Sequence, residues 1–467
     1  MDRTDIRALE AVVGRANVSR APEDLVCYAG DATRTVGRPD AVVRADGVAQ
    51  IQRLMRFANA YRIPVYPRGA GTGLTGGAVP VQGGVVLDLA MMNRILDINT
   101  DNLTATCQPG VVPAALQAAV EKHGLFYPPD PASNDTSTIG GNVAENAGGL
   151  RAVKYGVTRD YVLRLEVVLP TGVLITCGAE THKNVTGYDL TRLMIGSEGT
   201  LWIITEIVVR LIPAPEHVAT VLCQFSDLEA AAATVSAIVA APIVPRALEL
   251  IDGACIRLIQ DVSDVGLADG CGAILLVEVD GPRESVDRDV RRAEAVAREQ
   301  GAIAADRAET AADRDRLWTV RRSISPALVA ACPNRVNEDV CVPRDRLVDL
   351  CRRIGEISDR HGIEIANFGH AGDGNVHVNI LPPNSDPATM HLAHEMAGEV
   401  FRATIDLGGT LSGEHGIGTT KADFLGLELA PEVIELERGI KRLFDPNNVL
   451  NPGKIFPAAV AAEAGGA

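Results

Sequence analysis

None of the cysteine spacings in this chain would make a cluster or a cross-linked framework. Nine cysteines (Cys27, Cys107, Cys177, Cys223, Cys255, Cys271, Cys332, Cys341 and Cys351) are scattered, and none forms C-x-x-C. That disfavours a four-cysteine zinc site or an iron–sulfur cluster, and the odd count disfavours a disulfide framework. Reduced, mostly buried thiols are expected. Long apolar runs are missing too. Nothing approaches the roughly 18–20 uninterrupted residues of a spanning helix. The most apolar stretch, AAAATVSAIVAAPIVP, is alanine-rich and broken by Pro242. Positive charge is in the minority, 44 Lys+Arg against 60 Asp+Glu, for a net of −16. This argues against nucleic acid or an anionic membrane as the main partner. MDRTDIRALEAVVG reads as an amphipathic helix with charges throughout, not as a signal peptide. A cytoplasmic location is therefore expected. There is no internal repeat and no low-complexity linker; only the final AAVAAEAGGA reads as disordered.

What is present is the composition of a globular protein, 46% hydrophobic and 22% charged over 467 residues. That length predicts two or three domains. Residues 1–36 read as helical, then irregular. DAVVRADGVAQIQRLMRFANAYRIPVYPRGAG reads as strand, helix, strand and glycine loop. Its helix carries Ile51, Leu54, Met55 and Ala58 at i, i+3, i+4 and i+7. VLRLEVVLPTGVLITC predicts a hairpin across Pro-Thr-Gly, and GTLWIITEIVVRLIP a long strand. After Pro215 the texture changes to strands about 40 residues apart with helices between, which suggests an α+β cap of antiparallel strands under helices. EVIELERGIKRLFDPNNVLNPGKIF predicts a helix followed by a turn.

Three small-residue segments fall within about 135 residues. PRGAGTGLTGGAVP matches the G-x-G-x-x-G expression at Gly71, Gly73 and Gly76. It leads into a strand rather than opening a helix, so a Rossmann mode of NAD binding is disfavoured. Its backbone N–H groups could still converge on an anion such as pyrophosphate. DPASNDTSTIGGNVAENAGG and GYDLTRLMIGSEGTLWIIT follow. Three such segments suit a backbone wrapped around a large, extended cofactor.

NFGHAGDGNVHVNI reads as a β-hairpin whose loop is Ala371 to Gly374. His370 then lies opposite Asn375. A side-chain period of two puts His370, Asn375, His377 and Asn379 on one face, with Val376, Val378 and Ile380 against a core. The histidine face is expected to be wet or ligand-bearing. Two imidazoles on it are potential metal ligands; a plain polar hairpin is the alternative. His391 and His394, in MHLAHE, read as surface histidines.

Taken in order, PRGAGTGLTGGAVP, TIGGNVAENAGG, TGYDLTRLMIGSEGTLWIIT, GHAGDGNVHVNI, SGEHGIG and LNPGKIF resemble the FAD-linked 2-hydroxyacid dehydrogenases of the vanillyl-alcohol-oxidase superfamily. That group includes the flavin subunit of glycolate oxidase, FAD-dependent D-lactate dehydrogenases and D-2-hydroxyglutarate dehydrogenase. The resemblance spans residues 20–457. It implies an α+β fold, with a two-subdomain FAD-binding domain over 1–215 and a ferredoxin-like cap with the metal site over 216–425. A C-terminal helical segment, 426–467, would return to the flavin. Carried over, Pro67, Arg68, Gly69, Gly71, Thr72 and Gly73 would cradle the pyrophosphate. Ser137, Gly140, Gly141, Asn142 and Ala144 would line the second loop. Gly199 and Ile204 would lie along the FAD, and Asn451 near its isoalloxazine. No histidine or cysteine occupies the first glycine loop, so noncovalent FAD is expected.

LSGEHGIG places Glu414 and His415 between glycines, which allow a turn that aims both into one site. His370, His377 and Glu414 would hold one divalent metal, zinc first, iron or manganese otherwise. Three protein ligands and an open position is the stoichiometry of a catalytic ion. His415 would be the general base. Arg321, in LWTVRRSIS, resembles the arginine that clamps substrate carboxylate; Ser325 shares its helical face, and Arg322 reads as a surface residue. Asn379 would point at the ion or the substrate. Relatives acting on 2-hydroxyglutarate carry a lysine where RVNEDVCVP has Asn337, which favours a monocarboxylate such as D-lactate or glycolate. With no iron–sulfur or NAD motif, the chain needs an electron acceptor: an iron–sulfur subunit, an electron-transfer flavoprotein or a quinone-linked protein. Such a partner could hold it at a membrane surface, and a homodimer is compatible with the resemblance.

Overall fold

The computed structural model describes residues 1–260 and 266–457; the tail expected to be disordered, 458–467, lies outside the described residues. The chain divides into two compact units. The first comprises Met1–Ala147, Val157–Ala214 and Glu414–Ala467, and the second Gly148–Gly156 and Pro215–Gly413. The chain thus crosses between them at Gly413/Glu414 rather than at 425/426, and Gly148–Gly156 counts with the second unit.

In the first unit, strand Ala41–Arg44, helix Val48–Tyr61 and strand Val65–Arg68 form where the pattern puts them. Ile51, Leu54, Met55 and Ala58 are fully buried, so the predicted stripe is the face that packs. Strand Val85–Asp88 lies between those two strands and pairs in parallel with each. Val18–Ser19 adds a short antiparallel edge within the segment expected to be irregular. A second, antiparallel sheet has the order Ile95–Asn99, Thr104–Cys107, Ile203–Arg210, Val162–Val168, Leu174–Gly178. Its last two strands are the hairpin predicted across Pro-Thr-Gly. The two sheets correspond to the two subdomains.

The second unit is built on one seven-stranded sheet, antiparallel throughout. Its first four strands in the chain are His217–Phe225, Ala247–Asp252, Ala273–Gly281 and Ala304–Arg307. In space they run fourth, first, third, second. With helices Leu228–Ala240 and Arg283–Glu299 in the first and last connections, this is ferredoxin-like order, with helix Gly253–Ile259 inserted between the second and third strands. Ile365–His370, Asn375–Ile380 and Val336–Cys341 extend the sheet beyond Ala247–Asp252. The segment Gly148–Gly156 is pinned to this unit by Lys154 Nζ and Tyr155 Oη, both bonded to the Asp280 carboxylate. Six of the nine cysteines are buried. No helix among the described residues is long and apolar enough to cross a membrane.

Candidate active site

The histidine hairpin is set by its turn. Ala371–Asp373 make one 3-10 turn, and Gly374 follows at φ +77°, where a Cβ would stand 2.0 Å from the Val342 carbonyl oxygen. Only glycine fits there. Phe368 pairs with His377 and Ala366 with Asn379, so His370, Asn375, His377 and Asn379 share a face as the spacing predicts. The face is not wet, however. Every residue of both strands is buried. Ala366 and Phe368 carry an apolar cluster onto it, with Cys255 and Ile256 of one helix and Leu317 and Ile324 of helix Ala311–Ala331. The alternation read from sequence could not show that helices cover this side too.

The two imidazoles meet edge to face, with centroids 5.2 Å apart. His370 Nδ1 lies 2.7 Å from Glu249 Oε1, and Arg321 Nε donates to Glu249 Oε2 at 2.7 Å. Burial alone pushes the Glu249 carboxyl up, but the charges of His370 and Arg321 outweigh it and hold the group at about 2. A fixed anion at Nδ1 keeps the proton there and leaves Nε2 as the ligand lone pair. Asp339 stands opposite His377 in register. Its Oδ1 is 3.7 Å from His377 Nδ1 and accepts from Asn375 Nδ2 at 2.5 Å. Ser412 Oγ donates to its other oxygen at 3.1 Å, and Thr410 bridges to Cys341. The chain is therefore tied to strand Val336–Cys341 just before it reaches Glu414.

Two overlapping groups of ligand atoms lie within 4.8 Å of one another: His370, His377 and Glu414, and Asp339, His377 and His415. Glu414 and His415 continue directly from Gly413, the last residue of the second unit. The donor set, imidazole nitrogens with carboxylate oxygens, suits a divalent ion such as zinc.

The neighbouring residues fall as follows. Arg321 is buried, with its guanidinium 4.5 Å from the Phe368 ring centroid. Arg322 is exposed and bonded to Asp315, as expected of a surface residue. Ser325 lies exposed, away from the helix's buried face of Leu317, Trp318, Val320, Arg321 and Ile324. The expected pointing of Asn379 is not found. Its Oδ1 accepts from Arg335 Nε at 3.1 Å, and its Nδ2 reaches the carbonyls of Ala366 and His377 at 3.4 Å. His391 and His394 are exposed, as expected. Glu249, Asp339 and Arg335 were missed. Acids inside the strands ALELID and NEDVCV were the available signal for the first two.

The first unit holds the glycine segments. A Cβ on Gly69 would fall 2.3 Å from Thr138 Oγ1, and one on Gly140 2.5 Å from Pro109 Cβ. The first loop therefore lies against the start of the second. Gly199, at φ +66°, stands between Pro67 and Asn451, with Cβ distances of 2.8 Å to Pro67 Cγ and 3.7 Å to Asn451 Nδ2. Three residues far apart in sequence thus meet. Arg68 turns inward, donating to the Gly30 carbonyl at 2.5 Å. Ser137 Oγ, Asn142 Nδ2 and Asn451 Oδ1 are buried without hydrogen-bond partners. Orphaned polar atoms beside crowded glycine backbone are what a polar cofactor leaves behind, and they fit FAD.

A glycine-lined cradle that fits FAD and a buried histidine–carboxylate group are the parts of an FAD-dependent oxidoreductase. Residues 39–178 match the FAD binding domain family, and residues 214–455 the family of FAD linked oxidases, C-terminal domain. The chain belongs to the FAD-linked oxidases of the vanillyl-alcohol-oxidase superfamily, of glycolate oxidase and D-lactate dehydrogenase type. It is 44% identical to the glycolate oxidase subunit GlcD of Bacillus subtilis (strain 168) over 446 residues, 95% of each chain. It is 37% identical to that of Escherichia coli (strain K12), over 98% of this chain and 92% of the relative. To the D-lactate dehydrogenase of Archaeoglobus fulgidus it is 40% identical, over 89% and 90%. The solved structure of p-cresol methylhydroxylase with substrate bound shares the fold, with a TM-score of 0.82 at 18% identity and 97% coverage of each chain.

Proposed function

We propose that this enzyme oxidises a D-2-hydroxy acid, D-lactate or glycolate, to the 2-oxo acid with the help of one divalent metal, and hands the electrons to a partner. The gathering of His370, His377 and Glu414 within 4.8 Å carries the metal reading. Relatives named for glycolate and D-lactate support the substrate class. Pro67, Arg68, Gly69, Gly71, Thr72 and Gly73 would hold the pyrophosphate of noncovalent FAD, and Ser137, Gly140, Gly141, Asn142 and Ala144 its second contact. Gly199, Ile204 and Asn451 would follow along it. Bound FAD supplies the two-electron acceptor, and a bound zinc, iron or manganese ion Lewis acidity.

The chain's own groups do the rest. Arg321 binds the substrate carboxylate, its plane fixed by Glu249 and by Phe368 beneath it. His415 takes the hydroxyl proton on its imidazole. Asn379 acts through Arg335, whose guanidinium it orients. Ser325, exposed, is given no step. The acceptor is an iron–sulfur subunit, an electron-transfer flavoprotein or a quinone-linked protein; the GlcD relatives are themselves named as subunits.

A second reading, D-2-hydroxyglutarate as substrate, is favoured by one observation. Asn337 is paired in register with Asn379, and Asn379 carries the cation Arg335. A screen of D- and L-2-hydroxy acids for anaerobic flavin bleaching tests both. D-lactate or glycolate should bleach; if no hydroxy acid does, the function proposed here is wrong.

A further inference from the structure

Beside the turn that carries Glu414 and His415 stand two carboxyl groups that the chemistry above does not use. We infer that Glu145 and Glu198 form a carboxyl pair, one neutral and one charged, that sets the position of the turn Glu414–Gly418. The consequence for metal binding rests on the proposed function; the pair itself does not.

Glu198 accepts from two successive backbone N–H groups of the turn, Ile417 at 2.8 Å and Gly418 at 2.7 Å, one on each oxygen. It does so from a left-handed conformation, φ +51°, which costs a non-glycine residue free energy and persists only where the surroundings impose it. Here its N–H donates to the Ala144 carbonyl at 2.8 Å, and its own carbonyl accepts from Asn451 Nδ2 at 2.7 Å. The other side of the turn is held by Thr75, whose Oγ1 donates to the His415 carbonyl at 3.1 Å and whose carbonyl accepts from Thr419 N at 2.7 Å. The backbone from the His415 carbonyl to Thr419 is therefore fixed, with Glu198 supplying the charge-assisted half.

Glu145 ends the helix Ile139–Glu145, and its Oε2 is buried with no hydrogen-bond partner. A Cβ on Gly416 would come within 2.6 Å of that oxygen and 3.0 Å of Glu198 Oε1. A Cβ on Gly77 would meet Glu145 Oε1 at 3.0 Å. Both carboxyls thus converge on the bare Cα of Gly416, and two carboxyls that share one buried site do not both stay charged. The surrounding charges decide which one keeps the proton. Burial raises the Glu198 carboxyl as well, but its two N–H donors, then Lys454 and Lys421, pull against that push. Burial, then Glu198, then Asp31 push the Glu145 carboxyl well above the usual range, with no cation among its principal neighbours. Glu145 is the neutral member, and its ionisation would drive like charge against Glu198 and loosen the turn.

Infrared difference spectra of wild type against Glu145→Gln, recorded at neutral pH on the flavin-loaded protein, read the proton directly. A protonated carboxylic-acid band present in wild type and absent in the variant is expected; carboxylate bands alone would overturn the pair. A pH series of denaturant midpoints gives a second reading. A folded-state pKa raised above the unfolded value means stability that is lost as pH rises towards it. Wild type should lose midpoint relative to Glu145→Gln above about pH 4.5, and parallel curves count against the inference. For the clamp, Glu198→Ala and the gentler Glu198→Gln should each release zinc faster to a chelator, by about tenfold or more for Ala. Zinc retention equal to wild type in both removes the positioning role. A wild type that binds no metal would end the metal reading and leave the infrared and pH results standing.

Discussion

Glu249 and His370 face each other across adjacent antiparallel strands, with a carboxylate oxygen 2.7 Å from the ring Nδ1. The same carboxylate holds Arg321 through its other oxygen. One buried anion therefore orients both a candidate metal ligand and the candidate substrate clamp. Glu249→Gln keeps the shape and removes the charge. Metal affinity should fall about 10–100-fold, as for other groups that support a ligating histidine. His377→Ala should lose the metal and turnover altogether while keeping FAD, because its strand lies in the other unit from the flavin loops. Metal analysis alongside flavin absorbance checks both; a His377→Ala protein with full metal content would remove the hairpin from the site.

FAD should come free when the protein is precipitated with acid. The first glycine segment offers no histidine or cysteine for a tether, and the cradle is made of backbone and small side chains. Yellow supernatant over a colourless pellet is the expected result; colour held in the pellet would mean a covalent bond elsewhere.

Lys454 gives the first unit a pH signature. Its side chain is 3% exposed, and Nζ donates to the Val79 carbonyl at 2.6 Å. Burial pulls its pKa down from 10.5 to about 8, against the attraction of Asp31 and Glu198. A folded pKa below the unfolded one gives stability that is present above the unfolded value and lost as pH falls through the folded one. Wild type should gain on Lys454→Met between about pH 8 and 10.5, by of order 2–3 kcal/mol. Urea midpoints at pH 7.5 and 10 measure this, and an unchanged gap between the two proteins would contradict it.

Substrate size should follow charge. Arg321 and the metal share the single carboxylate of a monocarboxylate, whereas a second carboxylate needs its own cation. Asn337 offers neutral hydrogen bonds of about 1 kcal/mol against roughly 1.5–3 for charge-assisted ones. D-lactate or glycolate should therefore exceed D-2-hydroxyglutarate in kcat/KM by about tenfold. Asn337→Lys should narrow that gap, and Arg335→Ala should widen it. Comparing the three acids on the three proteins decides the matter: wild-type preference for 2-hydroxyglutarate reverses the assignment and makes Arg335 the second clamp.

Elements with a local cause were legible before the structure. Ile51, Leu54, Met55 and Ala58 announce their helix because a period of 3.6 is local, and Gly374 announces its turn because only glycine takes that conformation. The facing of His370 and His377 follows from a short hairpin. What could not be read depends on pairing at long range. Glu249 is 121 residues from His370, and in ALELID it looks like any polar residue in a strand. Asp339 was hidden in the same way until the strand register set it opposite His377. The histidine face was expected to be wet or ligand-bearing, and its burial could not be read because alternation reports one face of a sheet and says nothing of the helices that close over the other. Asn379 was aimed at the ion or the substrate because its bond to Arg335 does not show in either residue's own sequence pattern.

Gly148–Gly156 is nine residues of chain interposed between two stretches of the first unit, yet Lys154 and Tyr155 serve the buried Asp280 of the second. A fragment beginning at Pro215 would keep the Arg246 guanidinium, 3.3 Å from Asp280, but would carry that buried acid without its second cation Lys154 and without the Tyr155 hydroxyl. The halves of this protein are accordingly not interchangeable cassettes. A recombinant second half, or a chimaera joined at the obvious Pro-rich seam near 213–215, loses one of the two cations on a buried acid unless the short segment is grafted with it. In a lineage that reshuffled these units as blocks, residues 148–156 and strand Ala273–Gly281 would have had to travel together.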